Sequence, residues 1–222
     1  MSRMRFRRPR TAQAVLLDAG RPPGLCVAIE GPIGVGKTTL TRLLAGRLGA
    51  AEMLEVVEEN PFLHHFYQDI RAYAFQTQIF FFLSRYRQQA ALREQVEGGR
   101  AVVSDYIFAK DRLFARMNLD EHEWDLYERL YALIAPMTAR PDLVIYLTAE
   151  LSTLLRRIAH RDRPFERAIE PAYLDRLRAE YERFFAEYEE TALLTVDTEA
   201  VDICRDADLE EILRYAGEVA VR

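Results

Sequence analysis

The sequence predicts an α/β P-loop fold, with a five-stranded parallel sheet flanked by helices. Two observations predict it. Short apolar runs alternate with longer stretches of helical periodicity along the body of the chain. The first run leads straight into Gly31-Pro-Ile-Gly-Val-Gly-Lys-Thr38, which fits G-x-x-x-x-G-K-[ST] in its expected strand-to-helix setting.

Residues 25–29 form a short apolar run closed by glycine, the pattern of a buried strand. Residues 37–48 carry Leu40, Leu43, Leu44 and Leu48 at helical spacing and stop at Gly49. A second strand is expected over 53–57, and a long helix over 73–96 halted by Gly98 and Gly99. A third strand, 101–103, ends in Ser104-Asp105, and a helix over 120–135 is closed by Pro136. The run DLVIYL, 142–147, is the fourth strand, followed by a helix through His160 and a short arginine-rich loop. A charged amphipathic helix from 171 to about 190, a fifth strand at 193–196 and a closing helix at 208–219 complete the order. No repeat or linker divides this body. In such a sheet, ligands gather outside the carboxyl ends of the strands.

The 222 residues carry a net charge of -5, and half are hydrophobic, a globular composition. That charge argues against a nucleic-acid polymer as partner, which calls for a basic surface. No apolar run approaches a membrane span. Cys26 and Cys204 are too few for a disulfide framework or zinc site and suit a reducing cytoplasm. His64, His65, His122 and His160 lack metal-ligand spacing. Residues 1–24 differ, with six arginines against the single acid Asp18, and read as a basic, disordered extension, with a transit peptide as the alternative, preceding one domain over 25–222.

The glycine motif has a direct chemical reading. Gly31, Gly34 and Gly36 let the backbone N–H groups turn toward phosphate oxygens, with the following helix adding its positive end. Lys37 would span the outer phosphates of ATP, Thr39 would continue the cradle, and the Thr38 hydroxyl would ligate Mg²⁺. A regulatory GTPase would need D-x-x-G and N-K-x-D, and neither occurs. Paired acids after a hydrophobic strand, expected of a mechanical ATPase, are missing after Val103. A small-molecule kinase is the reading that remains.

Four blocks then extend the likeness: IEGPIGVGKTTL, EVVEENPFLHHFYQDIRAYAFQTQIFFFLSRYRQQ, VVSDYIFAKDRLFA and LLRRIAHRDRPFERAIEPAYL. Together they sample residues 25 to 198 or so, and they resemble the deoxynucleoside kinase family, in particular its bacterial deoxyguanosine/deoxyadenosine kinase branch. The resemblance implies a γ-phosphate transfer from ATP to a deoxynucleoside 5′-hydroxyl. Glu59 would be the base that takes the hydroxyl proton, with Glu58 as the adjacent alternative. Gln78 and Arg85, two helical turns apart, would grip the base edge, and Tyr67 would touch the sugar. Asp105 would join Thr38 at the metal. The family motif there is an acid followed by arginine, whereas this chain has Tyr106, which leaves open where the second positive charge comes from. Asp111 would orient Arg85. Phe114, or in a competing register Phe108, would stack on the base. Arg157, Arg161 and Arg163 resemble an arginine-rich lid, with Glu166 reaching the sugar. Asp162 stands where the family commonly has glycine. A homodimer is implied as well. The nearest alternative is a nucleoside monophosphate kinase such as thymidylate kinase, whose doubly charged acceptor would need extra arginines facing it.

Overall fold

The computed structural model describes residues 3–8 and 24–220 and gathers the apolar runs into one six-stranded sheet. The strands are β1 (Met4–Arg7), β2 (Cys26–Glu30), β3 (Ala51–Met53), β4 (Val102–Ser104), β5 (Leu143–Thr148) and β6 (Ala192–Asp197), in the order β1-β6-β5-β2-β4-β3. The helices are α1 (Lys37–Leu48), α2 (Leu63–Phe66), α3 (Ile70–Glu97), α4 (Lys110–Asn118), α5 (Glu121–Ile134), α6 (Leu151–Arg161), α7 (Pro171–Glu187) and α8 (Asp206–Ala220). All neighbours from β3 to β6 pair in parallel. Their carboxyl ends therefore share one edge.

The central strands β2 and β5 are buried along almost their whole length, because helices cover both faces of a parallel sheet. That is why CVAIE and LVIYLT read as continuous runs rather than alternating ones. The chain leaves β2 toward β3, returns to β4 beside β2, then crosses to β5 on the other flank. The crevice at such a reversal is where α/β sheets bind ligands.

Three features depart from the sequence expectation. The sheet has a sixth strand: residues 4–7 were expected in a disordered extension, but pair antiparallel with β6, Met4 opposite Val196. The reason is visible in MRFR, where Met4 and Phe6 alternate with arginines. Met4 is buried, and Phe6 stacks on Tyr215 at 5.1 Å. Arg3 reaches Asp208 at 2.9 Å and also pairs with Glu211, while Arg7 donates to the Phe185 carbonyl at 2.9 Å. Residues 1–2 and 9–23 of that expected extension lie outside the described residues.

Second, β3 stops at Met53, not Val57. Side chains capture the backbone beyond it: the Glu55 N–H donates to Asp105 Oδ1 at 2.7 Å, and Gln88 donates to the Leu54 carbonyl at 2.7 Å. Third, the short helices α2 and α4 were not expected. The remaining boundaries fall within a few residues of expectation, with clear end signals. Asp69 caps α3 by accepting from the Ala72 N–H, Asp120 and Glu123 form a capping box on α5, and Gly49 ends α1 at φ 60°.

If β1 is an integral edge, Met4→Ala should lower stability by about 2 kcal/mol. Chemical denaturation checks this. A change within about 0.5 kcal/mol, typical of a surface site, would mean that the edge contributes nothing.

Candidate active site

The phosphate loop is shaped by its surroundings as much as by its glycines. Gly31 has φ 148°, and a Cβ there would lie 2.5 Å from the Leu147 carbonyl at the end of β5. Gly34 and Gly36 also have positive φ, 85° and 110°. Just before them Glu30, fully buried, accepts from the Gly31 N–H at 3.0 Å, the Ile107 N–H at 3.0 Å and the Tyr181 hydroxyl at 2.9 Å. One carboxylate thus ties β2, the loop after β4 and α7 together. Lys37 folds back onto its own loop, donating to the carbonyls of Gly31 (2.6 Å) and Pro32 (3.1 Å). Burial, and then the nearby Lys110 charge, lower its pKa to about 8.

Thr38 donates to Asp105 Oδ2 at 2.8 Å. This hydroxyl–carboxylate pair at the start of α1 consists of hard oxygen donors, the set a Mg²⁺ ion with water and phosphate ligands prefers. Among the described residues there is no cluster of three His, Cys, Asp or Glu side chains suited to a metal.

In front of the loop opens a cavity of about 350 Å³, within the range of small-molecule sites. Gly34, Lys37, Thr38, Glu55, Tyr67, Gln78, Arg85, Asp105, Lys110, Phe114, Arg161, Arg163 and Glu166 all face it. Most sequence-expected site residues are therefore brought to one cleft. Asp111 lies behind its wall, accepting from Gln78 Nε2 (2.8 Å) and the Tyr127 hydroxyl (2.7 Å) and pairing with Arg85. Gly36, Thr39 and Arg157 border a neighbouring cavity on the other side of the loop. There Arg157 donates to the Val35 carbonyl and to Thr198, bracing the loop.

Glu59 is the exception. It is exposed in the turn after Val57 and does not line the cleft. Its neighbour Glu58, though exposed, does border the cleft, with Arg163 at 3.5 Å. Glu55, which lines the cleft, is the first acid after β3. Because β3 ends four residues earlier than expected, the acid following the strand is Glu55 rather than Glu59. Its Oε1 accepts from Arg85 Nε (2.8 Å) and Nη2 (2.5 Å), and its Oε2 from Lys110 Nζ (2.6 Å). Although burial opposes the charge, the two cations hold its pKa down at about 2. The carboxylate is ionised at neutral pH.

Phe108 is also resolved: it packs in the core between Phe82 and Tyr131, whereas Phe114 is the one at the cleft. At the lid, Arg161 makes a two-point contact with Glu166 (2.6 and 3.1 Å). Asp162 takes the left-handed conformation, φ 51°, that glycine would adopt freely, and is held by Arg167 at 2.7 Å. The four histidines are exposed, as a surface role requires. No helix among the described residues is long and apolar enough to cross a membrane.

A glycine loop between a parallel strand and a helix, facing an ionised carboxylate across a closed-in cleft, defines a P-loop phosphotransferase. Comparison with known proteins narrows this class. A family model described as "Deoxynucleoside kinase" matches residues 27–219. Deoxyguanosine kinase of Bacillus subtilis (strain 168) is 37% identical over 201 residues, covering 88% of this chain and 97% of that one. The deoxyadenosine/deoxycytidine kinase of the same organism is 31% identical over 206 residues, 89% and 94% of the two chains. Among solved structures, deoxyadenosine kinase from M. mycoides with bound dATP superposes with a TM-score of 0.75 at 26% identity, covering 86% of this chain and 98% of that one. The chain belongs to the deoxynucleoside kinase family, and it is a kinase of deoxynucleosides.

The low Lys37 pKa has a measurable consequence. Its cationic form is the one that holds a polyphosphate, and that form is lost as pH rises through about 8. Once the ligand's own ionisation is accounted for, affinity for inorganic triphosphate should therefore be flat below pH 7 and weaken above pH 8, by up to roughly tenfold per pH unit. Calorimetry at fixed ionic strength checks this, with Lys37→Arg expected to remove the dependence.

Proposed function

We propose that the cleft transfers the γ-phosphate of ATP to the 5′-hydroxyl of a purine deoxynucleoside, deoxyguanosine or deoxyadenosine, with deoxycytidine as a third candidate. The product is the 5′-monophosphate, a step of nucleotide salvage. The observation that carries this reading is that Lys37 of the phosphate loop and the ionised Glu55 face one cavity, with Gln78 and Arg85 on its wall. The names of the Bacillus relatives support the purine assignment.

The roles follow from chemistry. Glycine-loop N–H groups and the start of α1 hold the outer phosphates, and Lys37 turns from its carbonyls to them. Thr38 and Asp105 would hold Mg²⁺, which would supply neutralisation of phosphate charge. Glu55, in the role expected of Glu59, accepts the 5′-hydroxyl proton. Its low pKa is compatible with this task, since phosphoryl transfer through a loose transition state sheds the nucleophile's proton late. In the ground state the carboxylate orients the hydroxyl. Arg161 and Arg163 follow the charge that spreads over the transferring oxygens. Tyr67 and Glu166 hold the sugar, Phe114 stacks on the base, and Gln78 and Arg85 read its edge.

An acceptor that already carries a phosphate fits less well. Arg85 is matched by Glu55 and Asp111, so it offers no unpaired charge to a thymidylate-like substrate. A homodimer would cover the exposed Leu83, Leu126, Leu133 and Met137 on and beside α3 and α5. A content of only two cysteines, Cys26 and Cys204, supports a cytoplasmic enzyme.

Steady-state assays with ATP and a panel of nucleosides plus thymidylate test the reading. Glu55→Gln should lose about 10²–10⁴-fold in kcat while still binding ATP. Glu59→Gln should stay within about threefold of wild type. The reverse pattern would return the base role to Glu59.

A further inference from the structure

Lys110 is a buried cation that the sequence analysis does not assign. It opens α4 five residues beyond Asp105, and its side chain is only 4% exposed, yet it borders the cleft. Its ammonium lies 5.4 Å from the centre of the Tyr106 ring and close enough to Lys37 to help depress that residue's pKa. A lysine so enclosed needs a partner, and it has one acid, Glu55.

The two oxygens of Glu55 are not equivalent. Oε1 receives two N–H groups from Arg85, which fills the two lone-pair directions of a carboxylate oxygen. Oε2 receives only the Lys110 ammonium. One direction on Oε2 thus stays available, and an approaching hydroxyl must take it. It then shares that oxygen with Lys110.

We propose that Lys110 is the positioning residue of the transfer: it fixes Glu55 so that Oε2 is the oxygen that takes the acceptor proton, and it stands as a second cation beside the attacking oxygen. This rests on the reading of Glu55 as the proton acceptor. The 5′ O–H bond breaks as its proton passes to Oε2. The freed oxygen pair forms the bond to the γ-phosphorus, and the bond from that phosphorus to the β–γ bridging oxygen breaks, its electrons leaving with ADP. Lys110 keeps its three protons throughout. Arg85 alone would hold Glu55 by one edge and leave the carboxylate free to swing about it.

The test uses the full chain with Lys110→Met, Lys110→Arg and Glu55→Gln, assayed with ATP and deoxyguanosine or whichever nucleoside the wild type turns over fastest. Lys110→Met should lower kcat by about 100-fold, the scale of a small misplacement of a reacting group. The KM for nucleoside should stay within about threefold, and equilibrium binding of an ATP analogue should be unchanged. Lys110→Arg, which retains a cation able to reach Oε2, should recover kcat to within about tenfold of wild type. If Lys110→Met fails to fold by circular dichroism, Lys110→Gln takes its place with the same criteria. Near-normal kcat in the neutral variant, a loss confined to KM, or equal loss in the neutral and arginine variants would overturn the proposal. A fully active Glu55→Gln would instead bring down the reading of Glu55 itself, so the two failures are distinguishable.

Discussion

A buried chain of charges, Lys110–Glu55–Arg85–Asp111, is the constraint on which the site depends. Two cations and two carboxylates alternate, each contacting the next, in a region nearly closed to water. Isolated charges there would be prohibitive, and removing one partner of such a pair typically costs about 3–5 kcal/mol because the other is left uncompensated. The chain closes without excess charge. Its far end is satisfied by Gln78 and Tyr127, which donate to Asp111. It joins the loop after β3 and α3 to the more distant pair α4 and α5.

The same economy of charge separates the two ends of the cleft. At one end Arg85 and Lys110 are matched by acids, a setting that would suit the proposed neutral acceptor. At the other end Lys37 contacts carbonyls, which would leave its charge to a polyphosphate. The two sides are brought face to face by Asp105, whose carboxylate accepts from Thr38 on one side and from the Glu55 N–H on the other. A single side chain therefore sets the distance between the phosphate loop and the acid.

Beneath the cleft, the sheet supplies rigidity. Glu30 is bound by three donors from three segments, and Gly31 passes so close to β5 that no side chain fits. These contacts fix where the phosphate loop begins. The exposed polar surface of α3 and α7 plays no part in them.

Much of this was legible in the sequence. The G-x-x-x-x-G-K-T signature, the alternation of strands and helices, and the seven-residue spacing of Gln78 and Arg85 are local patterns, fixed by backbone periodicity and by the φ values that only glycine tolerates. The place of Glu55 in the cleft, and of Glu59 outside it, was not. It depends on where β3 stops, and that is decided by Asp105, fifty residues away, capturing the Glu55 N–H. Lys110 was overlooked because nothing in its neighbours along the chain marks it; only the packing of α4 against the cleft turns an ordinary lysine into a buried one. The antiparallel edge of residues 4–7 likewise needed the open side of β6 to pair with. Periodicity is a property of neighbours in sequence, and so the chain alone could determine elements and the phosphate cradle. Which charged groups meet inside is settled by contacts between segments far apart in the chain, and only the folded structure decides those.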